Sequence, residues 1–116
     1  MGIVEFFQWQ WSGYSEAHQN RTNLLIHLLA VPAFIVAAVY LLIAIAELAP
    51  AAMLLAVAAM LASVALQVHG HRLEQAQPRP FRSRFDFVRR VLAEQFFTFP
   101  RFVLTGRWYK NFAAHR

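Results

Sequence analysis

The chain has 116 residues, which suits a single domain. Its hydrophobic fraction of 59% exceeds the roughly 45–50% typical of soluble proteins and indicates a membrane protein. It has no cysteine, which excludes disulfides and thiolate metal sites, so any metal must be held by histidine, carboxylates or water. The net charge of +5 is unevenly placed, because ten of the eleven basic residues lie from Arg72 onward and the other is Arg21.

Residues 1–19 are predicted to form an interfacial helix. Aromatic and aliphatic side chains alternate there with glutamines and Glu5, and tryptophan is favoured where lipid meets water. No basic segment precedes a hydrophobic core, so we do not expect a cleaved signal peptide. Tyr14 and His18 are four residues apart and would share a helical face.

Two apolar segments, residues 23–47 and 50–72, predict a transmembrane hairpin. The first contains 23 consecutive uncharged residues, more than the roughly 20 needed to cross the hydrocarbon core. Pro32 is expected to kink the first helix, and Pro50 suits the first turn of the second. A hairpin returns the chain to the side it left, so the positive-inside rule places both termini in the cytoplasm. The predicted fold class is all-α.

The basic C-terminal part follows a proline-containing loop, residues 75–84. Residues 85–99 have the spacing of a basic amphipathic helix on the membrane surface, which Pro100 ends or kinks. Residues 100–116 form a basic aromatic tail, in which His115 is expected to be a solvated residue without a functional role.

Ionisable side chains are predicted to gather in one pocket at the cytoplasmic end of the hairpin: His18, His27, His71 and Glu74, with Glu94 as a further candidate. His27 lies four residues into the first span, roughly 6 Å along the helix at 1.5 Å per residue. His71 lies just past the second span, and His18 precedes the first on the same side. An unpaired carboxylate is costly near lipid, so Glu94 is expected to turn inward, toward the histidines or an arginine. Two polar stripes of helical spacing would face this group: Asn20, Asn23 and His27 on the first helix, and Gln67, Gly70, His71 and Glu74 on the second, a stripe from which His69 points away.

Imidazoles and carboxylates from several segments suit a divalent metal, and without sulfur the candidates are Fe(II), Mn(II) and Zn(II). Asparagine and glutamine suit contacts to metal ligands or substrate. Two alternatives remain open at this point. One is a haem protein with His27 and either His69 or His71 as axial ligands. The other is a non-catalytic membrane hairpin that scaffolds partners and whose histidines serve only packing.

The chain carries two longer motifs, Tyr14-x3-His18-x-Asn20-x2-Asn23-x3-His27-x4-Pro32 and Gln67-x2-Gly70-His71-x2-Glu74 followed by Pro80. Together they resemble the 2-hydroxy fatty acid dioxygenase family, small integral membrane proteins long catalogued as a domain of unknown function. Residues 94–102 resemble the end of its short bacterial branch. The resemblance covers about residues 14–104.

The resemblance implies an Fe(II)-dependent dioxygenase that uses molecular oxygen to shorten a 2-hydroxy fatty acid by one carbon, as in lipid α-oxidation. Carried onto this chain, it implies that the iron is held by His18, His27 and His71. We expect catalytic roles for Tyr14, Glu74 and Glu94. We expect a further group to support the metal ligands or contact substrate: Asn20, Asn23, Gln67, His69 and Arg72.

The expected partners are a 2-hydroxy fatty acid, molecular oxygen and membrane lipid, with no nucleic acid and with oligomerisation left open. The expected location is a bacterial inner membrane.

Overall fold

The computed structural model describes residues 1–114, so the expectation for His115 lies outside the described residues. Within that range the chain forms helices joined by turns and loops, without strands. The predicted all-α hairpin with flanking helices is confirmed. The elements in order are α1 (Ile3–Trp11), α2 (Arg21–Ala46), α3 (Pro50–His71), α4 (Arg84–Ala93), a π-helical turn (Glu94–Thr98), α5 (Phe99–Leu104) and α6 (Arg107–Ala114).

Helices α2 and α3 pack along a seam of small and polar residues that recur every seven positions. The buried residues of α2 include Asn23, Ala30, Ala37 and Ala44, and those of α3 include Ala56, Ser63 and Gly70. A seven-residue repeat keeps one stripe of each helix facing its partner. Because the helices are antiparallel, Asn23 meets Gly70 and Ala30 meets Ser63, whose Oγ donates to the Ala30 carbonyl at 2.6 Å. Small residues allow this close approach in lipid.

The outer faces of the hairpin are apolar and uncovered. Both helices are long and apolar enough to cross a membrane, and only 28% and 17% of their most apolar windows are buried within the chain. The large apolar side chains exposed on these faces include Leu29, Leu42, Leu54 and Leu61. A core helix of a soluble protein would be mostly buried, so this surface supports association with a membrane.

The remaining helices surround the open end of the hairpin, opposite the turn at residues 47–49. Phe102 of α5 and Leu24 of α2 are fully buried in a core that also contains Tyr14, Val31 and Phe99. Helix α6 is tied to this end, because Trp108 Nε1 donates to the Leu24 carbonyl at 3.0 Å. The tail predicted at residues 100–116 therefore contains a docked helix.

Helix α4 begins at Arg84 because Ser83 caps it. The Ser83 Oγ accepts from the Asp86 backbone N–H at 3.0 Å, and the Asp86 carboxylate accepts from the Arg82 N–H at 3.1 Å. This N–H, together with the side chains of Arg89 and Arg90, holds the pKa of Asp86 below its ordinary value.

The helical path continues through Pro100 to Leu104. The Phe99 N–H bonds to the Glu94 carbonyl, five residues back, which forms the π-helical turn. Pro100 has no N–H to continue the regular pattern, so the wider turn ends where proline removes a donor.

At the other end of the chain, α1 stops at Trp11, and Gly13 has a φ of 77°. Tyr14 therefore lies in the turn that follows α1, and His18 lies in the short segment between that turn and α2.

Candidate metal centre

Three histidines and one carboxylate converge at the open end of the hairpin. His18, His27, His71 and Glu94 each offer one ligand atom, and these four atoms lie within 4.8 Å of one another. We call these four residues the His–Glu cluster. The Glu94 Oε2 lies 3.3 Å from His18 Nε2 and 3.5 Å from His27 Nε2. The members come from the short segment before α2, from α2, from the end of α3 and from the π-helical turn.

Hydrogen bonds to backbone carbonyls set the orientation of two of the rings. His18 Nδ1 lies 2.7 Å from the Tyr14 carbonyl, and His27 Nδ1 lies 3.1 Å from the Asn23 carbonyl. A carbonyl only accepts, so each Nδ1 carries a proton and Nε2 is the atom that faces the cluster; in the neutral ring, the form that binds a metal, this Nε2 has a free lone pair. Second hydrogen bonds of this kind orient histidines that bind metals.

The inward nitrogens have no partner. His18 Nε2, His27 Nε2 and His71 Nδ1 are buried without a hydrogen bond among the described residues. Buried polar atoms are normally paired, so three orphaned nitrogens beside a carboxylate fit a bound cation. For ligand bonds of about 2.1 Å, tetrahedral ligands lie roughly 3.4 Å apart, close to the two N–O separations in the cluster. Three nitrogens and an oxygen, without sulfur, suit a borderline divalent metal.

Glu94 is held as a carboxylate beside a protonated tyrosine. Burial raises the pKa of Glu94, but hydrogen bonds and positive charge from protonated His18 and His27 would outweigh burial and hold that pKa well below its ordinary value, and a divalent cation between these residues would act in the same direction. Burial, followed by the negative Glu94, raises the pKa of Tyr14. The Tyr14 hydroxyl therefore keeps its proton and donates it to Glu94 Oε2 at 2.7 Å. The Tyr14 ring also stacks on His18, with centroids 3.8 Å apart.

Glu74 lies outside the His–Glu cluster. Helix α3 ends at His71, so Glu74 does not continue the helical stripe expected from the spacing. Its two oxygens accept from the backbone N–H groups of Gln19 and Asn20 at 2.9–3.0 Å. It also accepts from Asn23 Nδ2 at 2.6 Å. Glu74 thus satisfies the N–H groups of the two residues that precede α2, at an end of the helix where a negative charge also complements the dipole.

Asn20 and Asn23 also stabilise the start of α2 and its contact with α3. The Asn20 side chain caps α2 by accepting from the Asn23 N–H at 3.0 Å. Asn23 is fully buried and packs directly against Gly70, where a Cβ would overlap the Asn23 Oδ1 and lie 3.1 Å from its Cγ. Gly70 thus lets α3 approach α2 at the level of the cluster.

A glutamine pair lies beside the cluster, and one of its members was not expected from the sequence. Gln67 Nε2 donates to Gln95 Oε1 and Gln95 Nε2 donates to Gln67 Oε1, both at 2.9 Å. Gln67 also donates to Ser63. The π-helical turn lets the adjacent Glu94 and Gln95 both face inward. Glu94 was expected to face inward, whereas the one signal for Gln95 in the sequence is its place as a polar residue beside Glu94 in an aromatic-rich segment that reaches Pro100.

His69 and Arg72 are exposed. His69 points away from the cluster, whereas Arg72 lines a cavity of about 430 Å³ beside it. His18, His71 and Glu94 also line this cavity. The protein thus places the cluster next to a space large enough for part of a ligand.

The packing of the three rings suits a single ion better than a haem. A bis-histidine haem needs two imidazoles on opposite sides of a flat cavity. The His27 and His71 rings have centroids only 4.8 Å apart and planes at 78°, and the His18 ring lies at 4.9 and 4.7 Å from them.

Comparison with known proteins gives one family. A family model described as 2-hydroxy-palmitic acid dioxygenase Mpo1-like matches residues 4–103. The chain belongs to this Mpo1-like family. The resemblance inferred from the two sequence motifs is therefore confirmed, and the Mpo1-like match includes all four residues of the His–Glu cluster. No curated protein and no solved structure matches the chain.

Proposed function

We propose that this Mpo1-like chain is an Fe(II)-dependent dioxygenase that shortens 2-hydroxy fatty acids by one carbon at the membrane surface. The observation that carries the proposal is the set of three buried imidazole nitrogens without partners beside the Glu94 carboxylate. The family description, which names a 2-hydroxy-palmitic acid dioxygenase, supports the choice of substrate class and reaction.

In this proposal His18, His27 and His71 hold the metal, together with Glu94. Bound iron supplies the redox chemistry with dioxygen that amino-acid side chains lack. The protein's own residues do the remaining work. The Tyr14 and Asn23 carbonyls keep the His18 and His27 rings in the tautomer whose Nε2 faces inward. The Tyr14 hydroxyl holds its proton at Glu94 Oε2 and keeps that carboxylate in place. Glu74, Asn20 and Asn23 serve by fixing the start of α2.

The site also suits a substrate that comes from lipid. The hairpin is apolar along its length, and the cluster lies at the end where the polar and basic segments begin. An acyl chain can then remain in an apolar environment while its polar head reaches the metal. We propose that this end faces the cytoplasm of a bacterium, following the distribution of basic residues.

Metal analysis of purified variants, combined with oxygen uptake on a 2-hydroxy fatty acid, tests the proposal. We expect His18→Ala, His27→Ala and His71→Ala each to lose bound iron and oxygen uptake. His69→Ala is the matched control, because His69 is exposed and lies two residues from His71. This variant should change bound iron and oxygen uptake far less. Circular dichroism on each variant separates loss of metal from loss of fold.

The carboxylate needs its own pair of variants. Glu94→Gln should lower metal content and turnover, whereas Glu47→Gln, at the far end of the hairpin, should not. If folded variants at all three histidines kept full metal content, the metal site would lie elsewhere. If the three histidine variants also supported the protein's function in the cell as well as wild type does, the chain would act as a scaffold.

A further inference from the structure

The cavity beside the His–Glu cluster is lined by both polar and apolar side chains. Tyr14, His18 and Glu94 bring the polar groups of the cluster to it. Val64 and Val68 of α3 and Phe87 and Val91 of α4 also line it. Each of these apolar pairs spans about one turn of its helix, so the cavity has an apolar lining close to the cluster. Such an arrangement suits a ligand with a polar head and a hydrocarbon chain.

Two of the three arginines that line this cavity are already engaged by the protein. Arg79 donates to the Trp9 carbonyl at 2.9 Å and to the Ser12 carbonyl at 3.0 Å. Arg90 donates to the Pro80 carbonyl at 3.1 Å and to the Arg79 carbonyl at 2.8 Å, and it pairs with Asp86 at 3.4 Å. Both guanidinium groups hold the 75–83 loop against α1 and α4.

Arg72 is the third arginine and differs from the other two. It follows His71 directly, at the end of α3, and is exposed to the cavity. Its guanidinium has no hydrogen-bond acceptor, carboxylate or aromatic ring as a partner within residues 1–114. A free guanidinium beside a cavity with an apolar lining is well suited to the carboxylate of an amphipathic ligand, which it can bind through two parallel hydrogen bonds.

We propose that Arg72 binds the carboxylate of the 2-hydroxy acid, while the acyl chain lies between α3 and α4 along Val64, Val68 and Val91. This inference rests on the proposed function for the identity of the substrate. It assigns recognition of the acid group to Arg72, separately from the His–Glu cluster. The same guanidinium chemistry would also suit the phosphate of an anionic lipid, so the experiment must distinguish the two sources.

The test compares a 2-hydroxy fatty acid with the 1,2-diol of the same chain length, which lacks the carboxylate. Binding is followed by tryptophan fluorescence in neutral detergent, because Trp9 lines the cavity. The protein is Zn(II)-loaded and kept without oxygen, so no turnover occurs. Arg72→Gln should weaken binding of the acid by about 10- to 100-fold, the loss expected for a charge-assisted hydrogen bond, and leave diol binding nearly unchanged.

Two further variants provide the controls. Arg84→Gln removes the same charge from an exposed arginine that does not line the cavity, and it should change neither affinity. Arg72→Lys should recover part of the acid binding, because it restores the charge without the two-pronged geometry. Equal weakening of acid and diol by Arg72→Gln, or no weakening of either, would overturn the assignment.

Vesicle binding tests the alternative that Arg72 contacts the phosphate of an anionic lipid. If Arg72→Gln left the discrimination between acid and diol intact but lowered binding to phosphatidylglycerol vesicles relative to phosphatidylcholine vesicles, Arg72 would be a headgroup contact and the proposal would be wrong. These assays measure binding without turnover. The comparison of acid and diol binding can therefore still be interpreted if the oxygen-uptake assay shows no oxygenase activity. In an active enzyme, the same variant should raise KM with little change in kcat.

Discussion

Gly70→Ala provides a sharp test of the packing around the candidate metal centre. An added Cβ would overlap the Asn23 Oδ1 and lie 3.1 Å from its Cγ. Asn23 is fully buried and donates to Glu74 at 2.6 Å, so its side chain has little room to move. Helix propensity and tertiary packing predict opposite effects for this one methyl group.

The two effects differ enough in size to predict the sign. Alanine in place of glycine inside a helix stabilises by roughly 0.5–1 kcal/mol. Overpacking a filled site costs about 1–3 kcal/mol. Loss of the Asn23 hydrogen bond to a charged carboxylate costs about 1.5–3 kcal/mol more. The net expectation is a loss of roughly 2–5 kcal/mol in the free energy of unfolding.

Thermal unfolding in detergent measures this loss, and a drop of roughly 10 °C or more in Tm is expected. Metal content should fall as well, because the Asn23 carbonyl orients His27. Gly2→Ala is the control, since a Cβ there meets only the Glu5 side chain at 3.8 Å. A double-mutant cycle with Asn23→Ala isolates the contact, because Gly70→Ala should cost little once the asparagine side chain is gone. A Gly70→Ala protein as stable as wild type, or more so, would refute the reasoning.

Three other outcomes are expected. The folded pKa of Asp86 is lowered, so its stabilising contribution is present above the unfolded pKa of about 3.9 and is lost as pH falls through the folded value. Asp86→Asn should therefore be less stable than wild type at pH 7, and the gap in Tm should close below about pH 4; a gap independent of pH would contradict this. Glu74→Gln should lower Tm much more than Glu47→Gln, because the Glu74 carboxylate accepts from the Gln19 and Asn20 N–H groups just before α2, whereas Glu47 lies in the turn at the far end of the hairpin. Single cysteines replacing Glu47 and Ser83 should react with a membrane-impermeant thiol reagent from opposite sides of the membrane, and labelling from one side would overturn the hairpin topology.

The placement of the His–Glu cluster could be inferred from the sequence because it depends on local length and on the return of a hairpin. Two apolar runs of spanning length predict two antiparallel helices, which bring His27 and His71 to the same end. Glu94 could be expected to face inward because a lone carboxylate near lipid is costly. The seven-residue spacing from Asn23 to Ala44, and from Ala56 to Gly70, was also visible in the sequence, although its meaning as a seam appears only when both helices are seen together.

The role of Glu74 was decided by tertiary structure. Helical spacing grouped it with His71, but α3 ends at His71 and the carboxylate turns to the start of α2. The physical reason is that the backbone N–H groups of Gln19 and Asn20, where the chain enters α2, have no helical partner, and a carboxylate more than fifty residues away satisfies them. Gln95 follows the same logic, since the amide it pairs with lies on α3 and its inward direction depends on the π-helical turn. Local sequence therefore determined which segments are long and apolar enough to cross a membrane and at which end of the hairpin the histidines gather. Long-range pairing of buried polar groups decided which of those side chains form the cluster and which hold it in place, because a buried donor or acceptor must find a partner wherever the fold provides one.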